Sequence, residues 1–551
     1  MTELMTGAGV KPGGGFQEAN RFGPSRSSVI CVHGAVATSQ PLATLTGVHI
    51  LEQGGSAADA AVAAAAILNV IEPMSTGVGG DVFALYFDSS KGQTFAVNGS
   101  GRSPAAATLG EVRNRLAKAG KTDLPFDSPL TWTVPGAVDA WEVVLKKWGR
   151  MSLADVLAPA IRAAEEGFAV APQTAATWMA SEGFLSRHGD SARTWLSADG
   201  HAPRPGQRFQ VASLGRTLRS IAEGGREAFY RSPIADAIVA FSERNGGLFT
   251  KDDFAGHASD FPQPLRGSYR GYEVLAFPPN SQGVAVLEAL AILGSDDLAS
   301  MGPNNIETIH LQVEAMKLAL HDAQCYVTDP QVCQVKSEFL LTNDWVKAQR
   351  GLISAQRAIA DPVAASTSGD TVYICAVDQD GNAASFINSV YMPWASGYTV
   401  GDTGILLQNR GHCFSLDPNC LNVLGPAKRC RHTLAPGMVL EDGRPLLVFG
   451  FVGGDMQVQA QVQFLCNVID FGMNIQDALD APRWRYNGTG ASLAIESAIG
   501  ADTAAKLIAR GHQITGAEGF FGGGQAVLID RNLGSLQAGS DGRRDGCAIG
   551  Y

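Results

Sequence analysis

The strongest constraint in this chain is a junction near residue 370. Residues 360–370, ADPVAASTSGD, are small and turn-prone, the composition of an exposed linker. Directly after them, 371–377 (TVYICAV) is β-branched and apolar, 378–382 is a turn signal, and 383–390 is a second apolar run. A loop therefore runs straight into the first residue of a buried strand, and that strand returns as a hairpin. Pairing about Asp380 sets partner numbers that sum to about 760, which brings Ser389 opposite Thr371 within one residue of slip. Two hydroxyls then face each other at the hairpin's open end. Cross-strand hydroxyl pairs also occur without any chemistry, so the hairpin alone leaves function open.

Upstream of the junction, helical patterns dominate. Ser39-Gln40-Pro41 starts a helix and Gly54-Gly55 stops it; Ser56 caps a second, alanine-rich helix over 57–70, closed by Pro73. Further helices are expected at 139–148, 153–166, 215–223, 233–243, 284–293 and 306–325. Downstream, strands at 404–408 and 445–450 mix with helices at 457–470 and 474–480, which predicts an α/β layered architecture. Residues 1–28 are Gly-rich and polar and read as a flexible tail. A net charge of −11 with no Lys/Arg cluster argues against a nucleic-acid partner. Nine scattered cysteines without a CxxC pair fit reduced thiols in a cytoplasmic protein. The N-terminus lacks the pattern of a signal peptide, and no apolar stretch reaches about 18 residues, so no membrane partner is expected.

Near the C-terminal third, an apolar strand over 446–450 meets Gly453-Gly454 and a helix follows. Glycines there let backbone approach a ligand, and amides at a helix start favour negative charge, such as a developing oxyanion. A phosphate would use the same geometry, but the segment lacks the P-loop lysine and the GxGxxG spacing. Gly77-Val78-Gly79-Gly80 is a weaker signal of the same kind. HExxH, Cys/His metal spacing and a GxSxG elbow are absent, so neither metal nor cofactor is expected.

Taken together, several segments resemble the γ-glutamyltransferase family: LEQGGSAADAAVAAAAILNVIEP (51–73), STGVGGDVFALYF (75–87), TVPGAVDAW (133–141), GDTVYICAVDQDGNAASFINSV (369–390), GYTVGDTGILLQNRG (397–411), GPAKRCRHTLAPGMVL (425–440), the segment 452–484 and GRRDGCAIGY (542–551). The resemblance covers about 30–551. It implies a four-layer αββα N-terminal-nucleophile hydrolase fold built from two autoproteolytic subunits, 29–370 and 371–551, that form one intertwined unit. Cleavage is implied between Asp370 and Thr371. Thr371 would then carry both the nucleophilic hydroxyl and, in its new α-amine, a base with an ordinary pKa of about 7.7–8.0. Ser389 falls where the family orients the nucleophile, and Gly453 and Gly454 match its oxyanion glycines.

Positions that read a γ-glutamyl donor in the glutathione-cleaving members have changed. The carboxylate-binding arginine falls at Ser100, with Arg102 shifted by two. The acid that grips the α-amine falls at Cys413, beside His412, and the paired serines fall at His432-Thr433. An asparagine after the orienting hydroxyl becomes Tyr391. This pattern resembles the transferase-like branch that includes oxamate amidohydrolase. The implied substrate is a small anionic amide, with Arg102 or Arg431 on its carboxylate and Tyr391, Asn409, His412, His432 and Thr433 as further substrate-facing candidates. Glutathione hydrolysis or γ-glutamyl transfer is the alternative, and an inactive binding homologue is a third reading. A homodimer of the processed unit is left open.

Overall fold

The computed structural model describes residues 26–360, 369–488, 492–516 and 520–551. Most of the expected tail and residues 361–368 of the junction therefore lie outside the described residues. Two antiparallel sheets form the centre. The six-stranded sheet runs Cys547–Gly550, Ala35–Thr38, Asp370–Val377, Ala383–Tyr391, Asp81–Asp88, Gln93–Gly99. The seven-stranded sheet runs Val29–Cys31, Ser535–Ser540, Gly523–Asp530, Arg444–Val452, Gly437–Glu441, Tyr272–Ala276, Leu265–Tyr269. Residues on both sides of the junction supply strands to both sheets, so the two halves of the chain are interleaved.

Strand alternation decides what each side chain meets. In Asp370–Val377, the residues Val372, Ile374 and Ala376 enter the core beneath the helices, while Tyr373, Cys375 and Val377 enter the core between the sheets. Thr371 shares its parity with Tyr373, and Ser389 with Ile387, so both hydroxyls belong to the inter-sheet face. The sheets approach closely because Gly450 sits under Tyr373; a β-carbon there would stand 2.3 Å from the Tyr373 Cε2 atom.

Helices cover both outer faces. Ala57–Ile71 is capped by a reciprocal Ser56/Asp59 box and buried along its whole length, and its alanines let it lie against the hairpin of Asp370–Val377 and Ala383–Tyr391. Pro41–Glu52 and Ala137–Trp148 pack beside it, and Val284–Leu293, Ile306–Tyr326 and Met456–Ile469 cover the other sheet. The result is the expected helix–sheet–sheet–helix stack. Among the described residues no helix is long and apolar enough to cross a membrane.

Three expectations need correction. Residues 404–408 do not form a strand; they make one bridge, Thr399 to Leu406, and instead dock on the 77–80 loop, where Gln408 N donates to Gly79 O at 3.1 Å. A β-carbon on Gly79 would stand 2.0 Å from Leu406 O, so the glycine is a contact point between loops. The helix expected at 215–223 extends over Ala212–Tyr230, with a break at Gly225. Finally, the end of the junction is not exposed: Gly369 and Asp370 are buried, and the strand begins at Asp370 itself.

Candidate functional site

The hairpin pairs in the expected register up to Val372 with Asn388, and then a bulge shifts it, so that Tyr391 lies opposite Asp370. Two residues thus oppose one at the open end, and Tyr391 takes a left-handed φ of 87°. The bulge leaves Ser389 facing Thr371. Thr371 Oγ1 lies 3.1 Å from Ser389 Oγ and 2.6 Å from the Asp370 carbonyl oxygen. Ser389 Oγ donates to that same carbonyl at 2.9 Å. Its lone pairs accept from Tyr391 N at 2.8 Å and from Arg410 Nη2 at 3.1 Å. The carbonyl of the expected scissile bond is thus held between two hydroxyls, one of them backed by a guanidinium.

The Asp370 carboxylate is fixed on the other side. It accepts the Thr371 amide at 2.9 Å and is ion-paired with Arg544, whose guanidinium stacks 4.5 Å from the Phe520 ring. Buried Glu72 lies nearby and accepts from Ser39 Oγ at 2.6 Å and Ser75 Oγ at 2.9 Å. Burial pushes its carboxyl up to about 7, against the pull of Arg544 and with a further push from Asp370.

Gly453 and Gly454 form the turn into Met456–Ile469 with φ of 116° and 62°, values that favour glycine. A β-carbon on Gly369 would lie 3.3 Å from Gly454 N, so the chain entering the junction crosses this turn. A β-carbon on Gly453 would meet Phe520 Cε1 at 2.6 Å.

The expected substrate-facing residues separate into two groups. Thr433 Oγ1 accepts from Arg410 Nη1 at 2.9 Å, and the Tyr391 ring lies 4.5 Å from the Arg410 guanidinium. Arg431 is buried, 3.6 Å from Asp455 Oδ1. Thr433 and Tyr391 thus reach Thr371 through Arg410 and Ser389, while Arg431 stands with Asp455, one residue past the Gly453-Gly454 turn. The others are engaged elsewhere. Arg102 is partly exposed and pairs with Asp329 at 2.8 Å and Gln331 at 2.9 Å. His432 is fully buried against Asp81 at 3.2 Å, and burial pushes its pKa down to about 3, so it is neutral. His412 Nδ1 lies 2.8 Å from Leu124 O, and Asn409 bridges Met392 N and Phe126 O. At Cys413, a hydrogen bond from Cys430, then Arg410 and Arg431, pull the thiol well below the usual range against the effect of burial.

Two residues escaped the reading of the sequence. Arg410 and Arg544 sit inside quoted motifs, NRG and GRRDG, but nothing local marks either as part of a site. Only the bulge and the return of the C-terminal strand bring them to residue 370.

Comparison with known proteins finds relatives along nearly the whole chain. The family model described as gamma-glutamyltranspeptidase matches residues 43–551. The glutathione hydrolase-like YwrD proenzyme of Bacillus subtilis strain 168 is 39% identical over 95% of this chain and 99% of its own length. The oxamate amidohydrolase proenzyme of Klebsiella pneumoniae is 36% identical over 95% of this chain and 100% of its own. The crystal structure of cephalosporin acylase from Bacillus halodurans superposes with a TM-score of 0.90 at 41% identity, covering 96% of this chain and 98% of that one.

Proposed function

We propose that this chain, which belongs to the γ-glutamyltranspeptidase family, is the precursor of an amidohydrolase that cleaves itself between Asp370 and Thr371 and then hydrolyses a small anionic amide. The enzyme acts on amide C–N bonds, as members of this family do. The observation that carries the reading is the placement of Thr371 Oγ1, 2.6 Å from the Asp370 carbonyl oxygen, with Ser389 Oγ donating to the same oxygen at 2.9 Å.

In maturation, Thr371 Oγ attacks the Asp370 carbonyl carbon, the C–N bond breaks, and an ester forms on Oγ while the Thr371 nitrogen becomes a free amine. Water then cleaves the ester. This leaves a new carboxylate on Asp370 and restores the hydroxyl, giving subunits 29–370 and 371–551 after the tail. In turnover, the α-amine takes the Oγ proton as the hydroxyl attacks the substrate amide. The proton passes to the leaving nitrogen, which departs as ammonia or an amine. Gly453 and Gly454 amides stabilise the oxyanion, and water releases the acid. Arg410, which reaches Ser389 beside Thr371, favours an anionic acyl group, and so does the relative named as an oxamate amidohydrolase.

The test is N-terminal sequencing and intact mass of the purified protein, followed by a panel containing oxamate, glutathione and a γ-glutamyl anilide. A new N-terminus at Thr371 and ammonia released from oxamate are expected. An uncut chain would overturn self-processing. Faster turnover of glutathione than of oxamate would favour γ-glutamyl hydrolysis, the reading that the YwrD relative's name supports.

A further inference from the structure

Arg410 is a buried cation with no carboxylate in ion-pair contact; the carboxylate that feels its charge from further off is Asp81, which spends its own oxygens on His432, Gln408 and Gly101. Arg410 is 0% exposed. Its Nη1 donates to Thr433 Oγ1 and its Nη2 to Ser389 Oγ. The aromatic face of Tyr391 covers it at 4.5 Å. Its Nε is buried without a hydrogen-bond partner, and no described carboxylate makes an ion pair with it. Cys413, whose thiol it pulls down, is a softer and weaker partner than a carboxylate. Enclosing a guanidinium this way is costly unless an anion joins it.

We infer that Arg410 is the residue that reads the substrate's carboxylate, and that it selects amides whose carboxylate is bonded directly to the scissile carbonyl. The inference rests on the acyl-transfer reading above and adds a ruler to it. One hydrogen bond of 3.1 Å joins Thr371 Oγ1 to Ser389 Oγ, and a second of 3.1 Å joins Ser389 Oγ to Arg410 Nη2. A reacting carbonyl carbon stands roughly 3–3.5 Å from its nucleophile. A carboxylate attached to that carbon therefore falls within hydrogen-bond reach of the Nε–Nη2 edge while the carbonyl faces Thr371. The α-carboxylate of a γ-glutamyl group lies four C–C bonds away, roughly 5 Å further out, and overshoots the fork unless the chain folds back. Arg102, held by Asp329, is not required.

The experiment uses processed wild-type enzyme and processed Arg410→Gln and Arg410→Lys. Oxalate, the product anion, is titrated calorimetrically into each. Hydrolysis is compared for oxamate and its uncharged counterpart oxamide, and for amides with zero, one or two methylenes between carbonyl and carboxylate. Oxalate binding to wild type and its loss in Arg410→Gln are expected. So are a fall on the order of 10²-fold in the oxamate-to-oxamide kcat/KM ratio, partial recovery of that ratio in Arg410→Lys, and a wild-type preference for zero methylenes. If Arg410 merely holds Ser389, both substrates fall together and the ratio stays constant; that result overturns the inference, as does undiminished oxalate binding in Arg410→Gln. Should Arg410→Gln remain unprocessed, a wild-type preference for the two-methylene amide over oxamate overturns it independently. Amide hydrolysis without oxalate binding would sink this inference alone, whereas Arg410-dependent oxalate binding without hydrolysis of any amide would sink the proposed function alone.

Discussion

Two buried charged clusters in this molecule have opposite characters. In the helix-covered half, fully enclosed Lys317 donates to Glu314 at 2.7 Å and to Ile359 O at 3.1 Å, and Glu314 accepts Ile359 N at 2.6 Å. Beside them His310 Nε2 donates to Ser354 O at 2.7 Å, which leaves its Nδ1 to accept from His512 Nε2 at 2.8 Å. His310, Glu314 and His512 are spaced closely enough for a metal ion, but an ammonium already holds Glu314. This cluster grips residues 354–359, the chain leading into the junction. The other cluster lies around Thr371. There Arg410 makes direct contact with hydroxyls and an aromatic face, and the carboxylate that feels its charge, Asp81, is not in ion-pair contact with it. The difference teaches how to sort buried charge: a cation given its own carboxylate holds the fold, and one that keeps a donor unpaired, as Arg410 keeps its Nε, can still take a partner.

The comparison breaks most decisively at Thr371 itself. Thr371→Ala removes the hydroxyl placed to attack Asp370, so the protein should remain one chain without detectable hydrolysis. Mass spectrometry showing a cut before residue 371 in that variant would end the assignment. Next in size is the Gly453-Gly454 turn, the proposed oxyanion site. With φ of 116° and Phe520 at 2.6 Å from a built β-carbon, Gly453→Ala should lose on the order of 10²–10³ in turnover. Steady-state rates of the processed variant check it, and wild-type kcat would remove Gly453 from the mechanism.

The candidate site is legible in the sequence to the extent that it is local. The 371–390 hairpin, its register and the Gly453-Gly454 turn follow from alternation and turn chemistry, and the Ser389–Thr371 contact of 3.1 Å agrees with that register. The partners of those residues were not legible. Arg410 reaches Ser389 across 21 positions and Arg544 reaches Asp370 across 174, contacts set by sheet order and not by any local pattern. Residues 404–408 misled for a related reason: a short apolar run has no period long enough to separate a strand from a loop docked on glycines. Arg102 carried the right charge, but Asp329, far off in sequence, had already claimed it.

The self-neutralised cluster predicts a change in stability and not in specificity. Lys317→Met leaves Glu314 enclosed without its cation, which should cost about 3–5 kcal/mol in unfolding free energy. The oxamate-to-oxamide ratio of whatever folds should match wild type. Urea melts and the same kinetic pair provide the measurement. A changed ratio with unchanged stability would erase the distinction between the two clusters.

The smallest effect concerns Glu72, buried beside the Asp370–Arg544 pair. Its pKa in the folded chain, about 7, lies above the ordinary carboxyl value of 4.5. The folded state therefore holds the Glu72 proton more tightly than the unfolded state does. The stabilisation this gives is complete below about pH 4.5 and is lost as pH rises through 7, a change of up to about 3 kcal/mol. Buried His432 and His512, both pushed down to about 3, have the opposite sign: their contribution is present above the ordinary 6.5 and falls away toward acid. The wild-type curve sums these slopes, so the difference between wild type and Glu72→Gln isolates the carboxyl. In a Thr371→Ala background, where the chain stays whole, Glu72→Gln should gain stability relative to its parent between pH 5 and 7. Because Asp370 pushes Glu72 up while Arg544 pulls it down, Asp370→Asn should lower the pH at which that gain levels off and shrink its size, while leaving its onset near 4.5 unchanged. Unfolding free energies at four pH values settle both points, and parallel curves for the parent and its Glu72→Gln variant would place the proton elsewhere.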